Sequence, residues 1–417
     1  MTAPRRSNPL RQLRASDLRG VARLATQATA GASHVAEGVH QSVLGTLGLP
    51  GGAEPGSTRG LTGLVYRSIR GVTGLVDAGL QAGLSRLEPF FTQPPEAGAS
   101  APVLWEREAV LAALNGVLGD RLARDDNPLR TSMGFYQQGR PLDLPALAAS
   151  GTATGKLLVL VHGLCMNDLQ WRHQGHDHGE HLARALGYTP VYLRYNTGLH
   201  TSTNGATLSA QLDALVAAWP VPVGELAVLA HSMGGLVARS ACQHAATQSA
   251  PASRWLPLLR HLVCLGTPHH GAPLERAGHC VDVLLGRSPY SRPFARLAQL
   301  RSAGITDLRH GHVVDGDWLG RHRFRKSPDQ RIPVPLPEGV ACYAVAAALA
   351  AQRSPAAERL VGDGLVPLHS ALGVHDDPQR TLQFARHRQA VFYRLGHLGL
   401  LGDARVARQL VQWLGSV

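Results

Sequence analysis

Lysine is almost missing from this chain. Of its 41 basic residues only Lys156 and Lys326 are lysines, so a formal net charge of +12 rests on arginine. Arginine alone selects no partner, and no helix-turn-helix, zinc-finger or RNA-binding signature accompanies it, so no nucleic-acid partner is expected. Long apolar runs are missing too. No stretch reaches transmembrane length without a charge or glycine interrupting it. The basic start MTAPRRSNPLRQLRASDLRG leads into no apolar segment of the kind a secretory signal needs. Cysteine is scarce: Cys165, Cys242, Cys264, Cys280 and Cys342 are odd in number and mostly sit in apolar runs such as HLVCLGTP. That excludes a disulfide framework and fits small buried side chains in a reducing compartment. These absences lead us to expect a cytoplasmic protein, with a membrane-peripheral position left open.

What is present is a body able to pack. Hydrophobic residues make up 44% and charged residues 17% of 417, enough for a large core and an accessory region. Residues 1–104 form an N-terminal region with two stretches of helical spacing. Leu18, Val21, Ala25, Ala28, Ala32, Val35 and Val39 share one face, and Leu61, Leu64, Ile69, Val72, Val76, Leu80, Leu84 and Leu87 share another. The glycine- and proline-rich break between them makes an antiparallel helical hairpin the expectation. Such a hairpin either covers an apolar surface of the main body or, helped by Arg5, Arg6, Arg11, Arg14, Arg19 and Arg23, binds a lipid or polymer surface.

Residues 105–154 read as an amphipathic helix through Trp105, Val110, Leu114 and Leu118, then a β-hairpin turning at Gln138 and Gly139. From residue 155 to 417 the pattern is strand, loop, helix, repeated. Strands are expected at 157–162, 190–195, 225–230, 261–266, 342–348 and 389–394, with helices in HLARALG, ATLSAQLDALVAAW, GGLVARSACQHAA and ARVARQLVQWLG. Short apolar runs alternating with helices indicate an α/β fold with a mostly parallel sheet covered on both faces. Its ligand site belongs at the carboxyl ends of the strands. An insertion at about 272–338 is placed to act as a lid over that edge.

Four motifs fall at those strand ends. In AHSMGG a strand runs into Ser232 and then a helix, with small residues two before and two after, as a sharp nucleophile-bearing turn requires. Ala230 stands where glycine is more usual. In LVLVHGLCMN a strand ends at His162 and Gly163, so the backbone N–H of Leu164, with that of Met233 after the serine, forms an expected oxyanion hole. Asp363 lies between glycines in LVGDGLVP, where it can orient a histidine; Asp376 and Asp377 compete with it. His397, in RLGHLG, is the expected general base, and His369, His375 and His387 are alternatives. The chain order serine, aspartate, histidine favours Ser232, Asp363 and His397.

Two further tracts have a plainer explanation. His173, His176, His178 and His181 cluster, but Asp177 with Glu180 three residues on fits a helix cap, so no metal is expected. The hydroxyl-rich tract YNTGLHTSTNG is expected to cap a helix through Thr203 or Asn204.

Together AHSMGG, HLVCLGTPHHG and GDGLVP resemble the lipase and esterase branch of the α/β-hydrolase superfamily, specifically bacterial triacylglycerol lipases and hydrolases similar to GPI inositol-deacylases. The resemblance covers roughly residues 155–417 and does not extend over the first 150. It implies an α/β-hydrolase fold and cofactor-free, serine-dependent hydrolysis of carboxylic esters, with a lipid ester as substrate and a peripheral membrane or granule surface as partner. An intracellular polyester depolymerase and a non-catalytic lipid-surface binding protein are the competing expectations.

Overall fold

The computed structural model describes residues 16–25, 27, 105–248, 252–272, 302–321, 329–351 and 362–416. The chain divides into two units, residues 1–104 with 124–129, and residues 105–123 with 130–417. In the first, residues 16–25 are helical, and Asn127 Nδ2 donates to Gly20 O at 3.2 Å. The remainder of the expected helical hairpin, including its whole second helix, lies outside the described residues.

The second unit is built on eight strands: β1 (Gly134–Gln137), β2 (Arg140–Pro141), β3 (Lys156–Val161), β4 (Thr189–Arg194), β5 (Glu225–His231), β6 (Leu259–Leu265), β7 (Ala341–Ala348) and β8 (Gln389–Tyr393). They form one sheet in the order β2-β1-β4-β3-β5-β6-β7-β8. The six strands expected between 157 and 394 are the six parallel ones, with ends shifted by one or two residues. The hairpin is also present: β1 pairs antiparallel with β2 and β4, and Gln138 and Gly139 both take positive φ, 51° and 76°. That is the backbone a two-residue hairpin turn needs.

Helices cover both faces because the strands are apolar on both. Along β3, Leu157, Val159 and Val161 join one core and Leu158 and Leu160 the other. The first core holds Leu208, Leu212 and Leu215 of α4 (Thr201–Ala218) and Val237, Ala238 and Ala241 of α5 (Met233–Thr247). The second holds Leu182 of α3 (His178–Leu186) and Val406, Leu410 and Leu414 of α8 (Ala404–Gly415). The other helices are α1 (Trp105–Arg124), α2 (Leu144–Ser150), α6 (Ala303–His310) and the single turn α7 (Leu368–Ala371). The side-chain period of two explains how one apolar strand serves two layers. No described helix is long and apolar enough to cross a membrane.

α5 lies close to the end of β3. A Cβ added at Gly234 would sit 2.3 Å from Val161 O, a backbone atom that cannot swing aside. Gly234→Ala is therefore expected to cost on the order of 3 kcal/mol through overpacking. Urea unfolding measures it directly; an alanine variant as stable as the wild type would show that α5 does not need this approach.

Much of the insertion expected as a lid, residues 273–301 and 322–328, lies outside the described residues. Its described portion carries α6, whose Asp307 overturns the expected cap of α4. The helix begins at Thr201, not at 203 or 204, and the Asp307 carboxylate accepts from Thr201 N at 2.8 Å. The same carboxylate meets His200 and His312 Nδ1, each at 3.0 Å. A carboxylate supplied across the fold neutralises the helix N-terminus better than a hydroxyl within the first turn.

Candidate active site

Ser232 stands between β5 and α5 with φ 55° and ψ −124°, a conformation that L residues rarely adopt. It is held there by Ser232 N donating to Leu265 O at 2.8 Å and Gly235 N donating to Ser232 O at 3.1 Å. Met233 is the first residue of α5, where a helical N–H has no acceptor within its own helix. Gly163, at the end of β3, comes against the serine: a Cβ there would lie 3.0 Å from Ser232 Cβ. Leu164, next in the chain, is buried.

The loop carrying Leu164 is pinned on several sides. Cys165, itself at φ 57°, donates its N–H to Thr197 Oγ1 at 3.1 Å. Asn167 caps the short turn Asp168–Trp171, and Asp168 pairs with Arg194 at the end of β4. Arg194 also pairs with Glu108 of α1. Desolvation in this setting pushes the Asp168 carboxyl upward from its ordinary range.

Asp363 and His397 meet. His397 Nδ1 lies 2.7 Å from Asp363 Oδ2, both side chains are buried, and His397 N donates to Asp363 O at 3.1 Å. The second carboxylate oxygen, Oδ1, accepts from Leu365 N at 2.9 Å and Val366 N at 2.8 Å. An ionised carboxylate only accepts, so Nδ1 carries the proton and Nε2 keeps its lone pair. The competing residues go elsewhere. Asp376 is exposed, and Asp377 caps the turn Pro378–Arg380. His369 and His387 are exposed, and His375 lies beside Asp329 at 3.4 Å.

His397 also lies over the end of β6, since a Cβ at Gly266 would be 3.1 Å from its Nδ1. Beneath it is a residue that motif reading left without a role. His231 Nε2 is 3.2 Å from His397 O, and the two rings are 4.7 Å apart. A carbonyl only accepts, so His231 donates from Nε2. Burial and the neighbouring His397 hold this imidazole neutral, well below its ordinary pKa. Its place before the serine in AHSMGG was the available signal.

The histidine cluster after the loop that carries Leu164 is tied together by hydrogen bonds. Asp177 accepts from Glu180 N at 3.0 Å and from Tyr192 Oη at 2.7 Å, capping α3. His176 Nε2 faces His178 Nδ1, and His178 Nε2 faces Leu400 O, both at 2.9 Å. Among the described residues, no group of three or more His, Cys, Asp or Glu is arranged to hold a metal ion.

Several of these histidines are buried as neutral rings. Desolvation pulls His162 down to about 3 and His178 to about 4, against 6.5 in an open chain. Between those values and 6.5 the unfolded chain binds more protons than the folded one, so stability present above pH 6.5 is lost as pH falls. For two such groups the slope approaches ~3 kcal/mol per pH unit near pH 5. Urea midpoints at pH 7.5 and pH 5 test this; equal midpoints would mean that these rings protonate in place.

Residues 152–326 match the model of the PGAP1-like alpha/beta domain family. Among solved structures the chain is similar to the mature lipase BlEst2 of Bacillus licheniformis, 18% identical, with 63% of this chain and 92% of that one covered and a TM-score of 0.40. It is also similar to lipase B of Aspergillus fumigatus, at 13% identity, 83% and 71% coverage and a TM-score of 0.39. A third is the esterase Pf2001 of Pyrococcus furiosus, at 14% identity, 63% and 85% coverage and a TM-score of 0.34. No curated protein matches the chain. The mostly parallel eight-stranded sheet and the strand–serine–helix turn give this chain the α/β-hydrolase fold, and within it residues 152–326 are similar to the PGAP1-like alpha/beta domain.

Proposed function

We propose that the protein hydrolyses carboxylic esters through an acyl-enzyme on Ser232. The observation that carries this reading is the buried 2.7 Å contact between His397 Nδ1 and Asp363 Oδ2, which leaves Nε2 free to accept a proton. In the reaction Ser232 Oγ attacks the ester carbonyl carbon while His397 Nε2 takes the hydroxyl proton. The carbonyl oxygen becomes an oxyanion facing the N–H groups of Leu164 and Met233. As the tetrahedral intermediate collapses, the C–O bond to the alcohol breaks and His397 returns the proton to the leaving oxygen. Water, deprotonated by His397, then attacks the acyl-enzyme and releases the acid. Asp363 holds the imidazole in its tautomer throughout and stabilises the imidazolium.

A lipid ester is the substrate this reading favours. The segments that flank the site in sequence are apolar: Leu164, Met166, Leu169 and Trp171 follow β3 and Leu400 follows His397, all buried. A membrane or granule surface is the partner such a substrate implies. The wild type is expected to react with a fluorophosphonate probe and to hydrolyse p-nitrophenyl esters with kcat/KM rising from acetyl to long acyl chains. Each methylene accommodated in an apolar site adds up to ~0.8 kcal/mol, about fourfold. A preference for acetyl would remove the lipid reading and leave the esterase; no labelling of the folded protein would remove both.

A further inference from the structure

A second chemically specific place lies beyond the serine. Arg239 is on α5, seven residues past Ser232, a rise of about 10 Å along the helix axis. It lines a cavity of about 470 Å³ bounded by the segment after β6, the strap 329–340, the start of β7 and the segment 378–388. The same cavity is lined by Arg331, Arg380, Arg388, His269 and His270.

The positive charge there is incompletely matched. Arg331 and Arg380 share the carboxylate of Asp329, at 2.7 and 3.5 Å, and Arg380 also pairs with Asp377 at 3.3 Å. Asp317 is the cavity's carboxylate lining, and its oxygens accept from the backbone of Val313, Val314 and Ile332. Among the described residues no carboxylate pairs with Arg388, which lies over the Tyr343 ring at 5.6 Å, or with Arg239.

Arg239 is the telling side chain. It is 4% exposed and donates to Val334 O at 2.6 Å, and its Nε has no partner among the described residues. Its NH1 lies 3.4 Å from His269 Nδ1. A guanidinium only donates, so Nδ1 accepts and the proton of the neutral ring is on Nε2, which also has no partner among the described residues. His269 is itself buried, and desolvation with the adjacent guanidinium holds it neutral. Burial lowers Arg239 to about 10, so it stays charged at neutral pH. A buried cation without a counter-ion is costly unless something anionic completes it.

We propose that this cavity binds a phosphate monoester, with the Arg239 guanidinium as the interior donor and Arg388 as the outer clamp. Guanidinium groups suit the several acceptor oxygens of phosphate. The volume falls within the range of small-molecule sites, roughly 300–1,000 Å³, and exceeds what an inorganic ion needs. The ester is either a soluble metabolite or the headgroup of an anionic lipid; both present the same group to the same donors. Ser232 is not among the residues that line this cavity.

Calorimetric titration of the full chain with glycerol 3-phosphate, at constant ionic strength and with glycerol as control, tests this. The wild type and Ser232→Ala are expected to bind it saturably and alike. Arg388→Gln, on the partly exposed wall, is expected to bind about tenfold more weakly, the loss of one charge-assisted contact. Arg239→Gln should bind more weakly still; should it not fold, Arg388→Gln carries the test. Inhibition of the titration by phosphatidic acid vesicles, and not by phosphatidylcholine vesicles, would assign the ligand to a lipid headgroup; indifference to both would assign it to a soluble ester. Absence of saturable binding by the wild type up to about 10 mM, or equal binding by Arg388→Gln, overturns the proposal.

Discussion

Ser232→Ala is expected to fold as the wild type does, lose fluorophosphonate labelling, and hydrolyse p-nitrophenyl esters on the order of 10⁴- to 10⁶-fold more slowly. The residual rate would come from substrate binding and the oxyanion donors, which are backbone groups untouched by the substitution. Alanine leaves the strained backbone as it is, since Cβ and the hydrogen bond from Ser232 N to Leu265 O both remain. Ser232→Gly separates function from strain. With φ at 55°, glycine relieves the conformation, so the glycine variant should be about 1 kcal/mol more stable than the alanine variant and equally inactive. A Ser232→Ala protein that keeps a tenth of wild-type turnover would remove Ser232 as nucleophile.

Asp363→Asn is the second large effect, a fall in kcat of about 10⁴-fold with little change in melting temperature. The reason lies in how the two carboxylate oxygens are used. Oδ1 accepts two backbone N–H groups, from Leu365 and Val366, so the amide oxygen of asparagine must take that position. The amide NH₂ then faces His397 Nδ1 where Oδ2 was, 2.7 Å away in the wild type. Two donors cannot share that contact, so the ring's proton moves to Nε2, and Nε2 can no longer accept from Ser232. Asp363→Ala should also lose the backbone contacts and cost roughly 1–3 kcal/mol of stability, which urea unfolding would separate from the catalytic loss. Activity of Asp363→Asn within tenfold of wild type would show that the carboxylate does not set the tautomer.

How far each feature was legible depended on the distance over which its cause acts. The parallel strands stood out because each is a short apolar run bounded by turn residues, and the Gln138–Gly139 turn because the local chain demands positive φ at both positions. The turn at Ser232 was equally local. Small residues are required around it because of what surrounds it in space, yet the requirement leaves its mark at Gly234 and Gly235 themselves. By contrast, the cap of α4 was misread as Thr203 or Asn204 because the carboxylate that does the work, Asp307, is 106 residues away from the N–H it accepts. The pairing of His231 with His397 O, across 166 residues, left a signal only in the identity of the residue before the serine.

The sequence by itself therefore determined the α/β alternation, the strands that build the sheet, the serine at a strand-to-helix turn, and an acid and a histidine following it in order. Only the tertiary structure decided which acid faces His397 among three aspartates, which histidine lies over the end of β6 among four, and that Arg239, His269 and Arg388 line one cavity. The division has one physical cause. Backbone conformation and side-chain periodicity act between neighbours and print themselves on adjacent residues, whereas hydrogen bonds and ion pairs act across space. A contact between residues brought together by the sheet leaves no periodic trace in the chain.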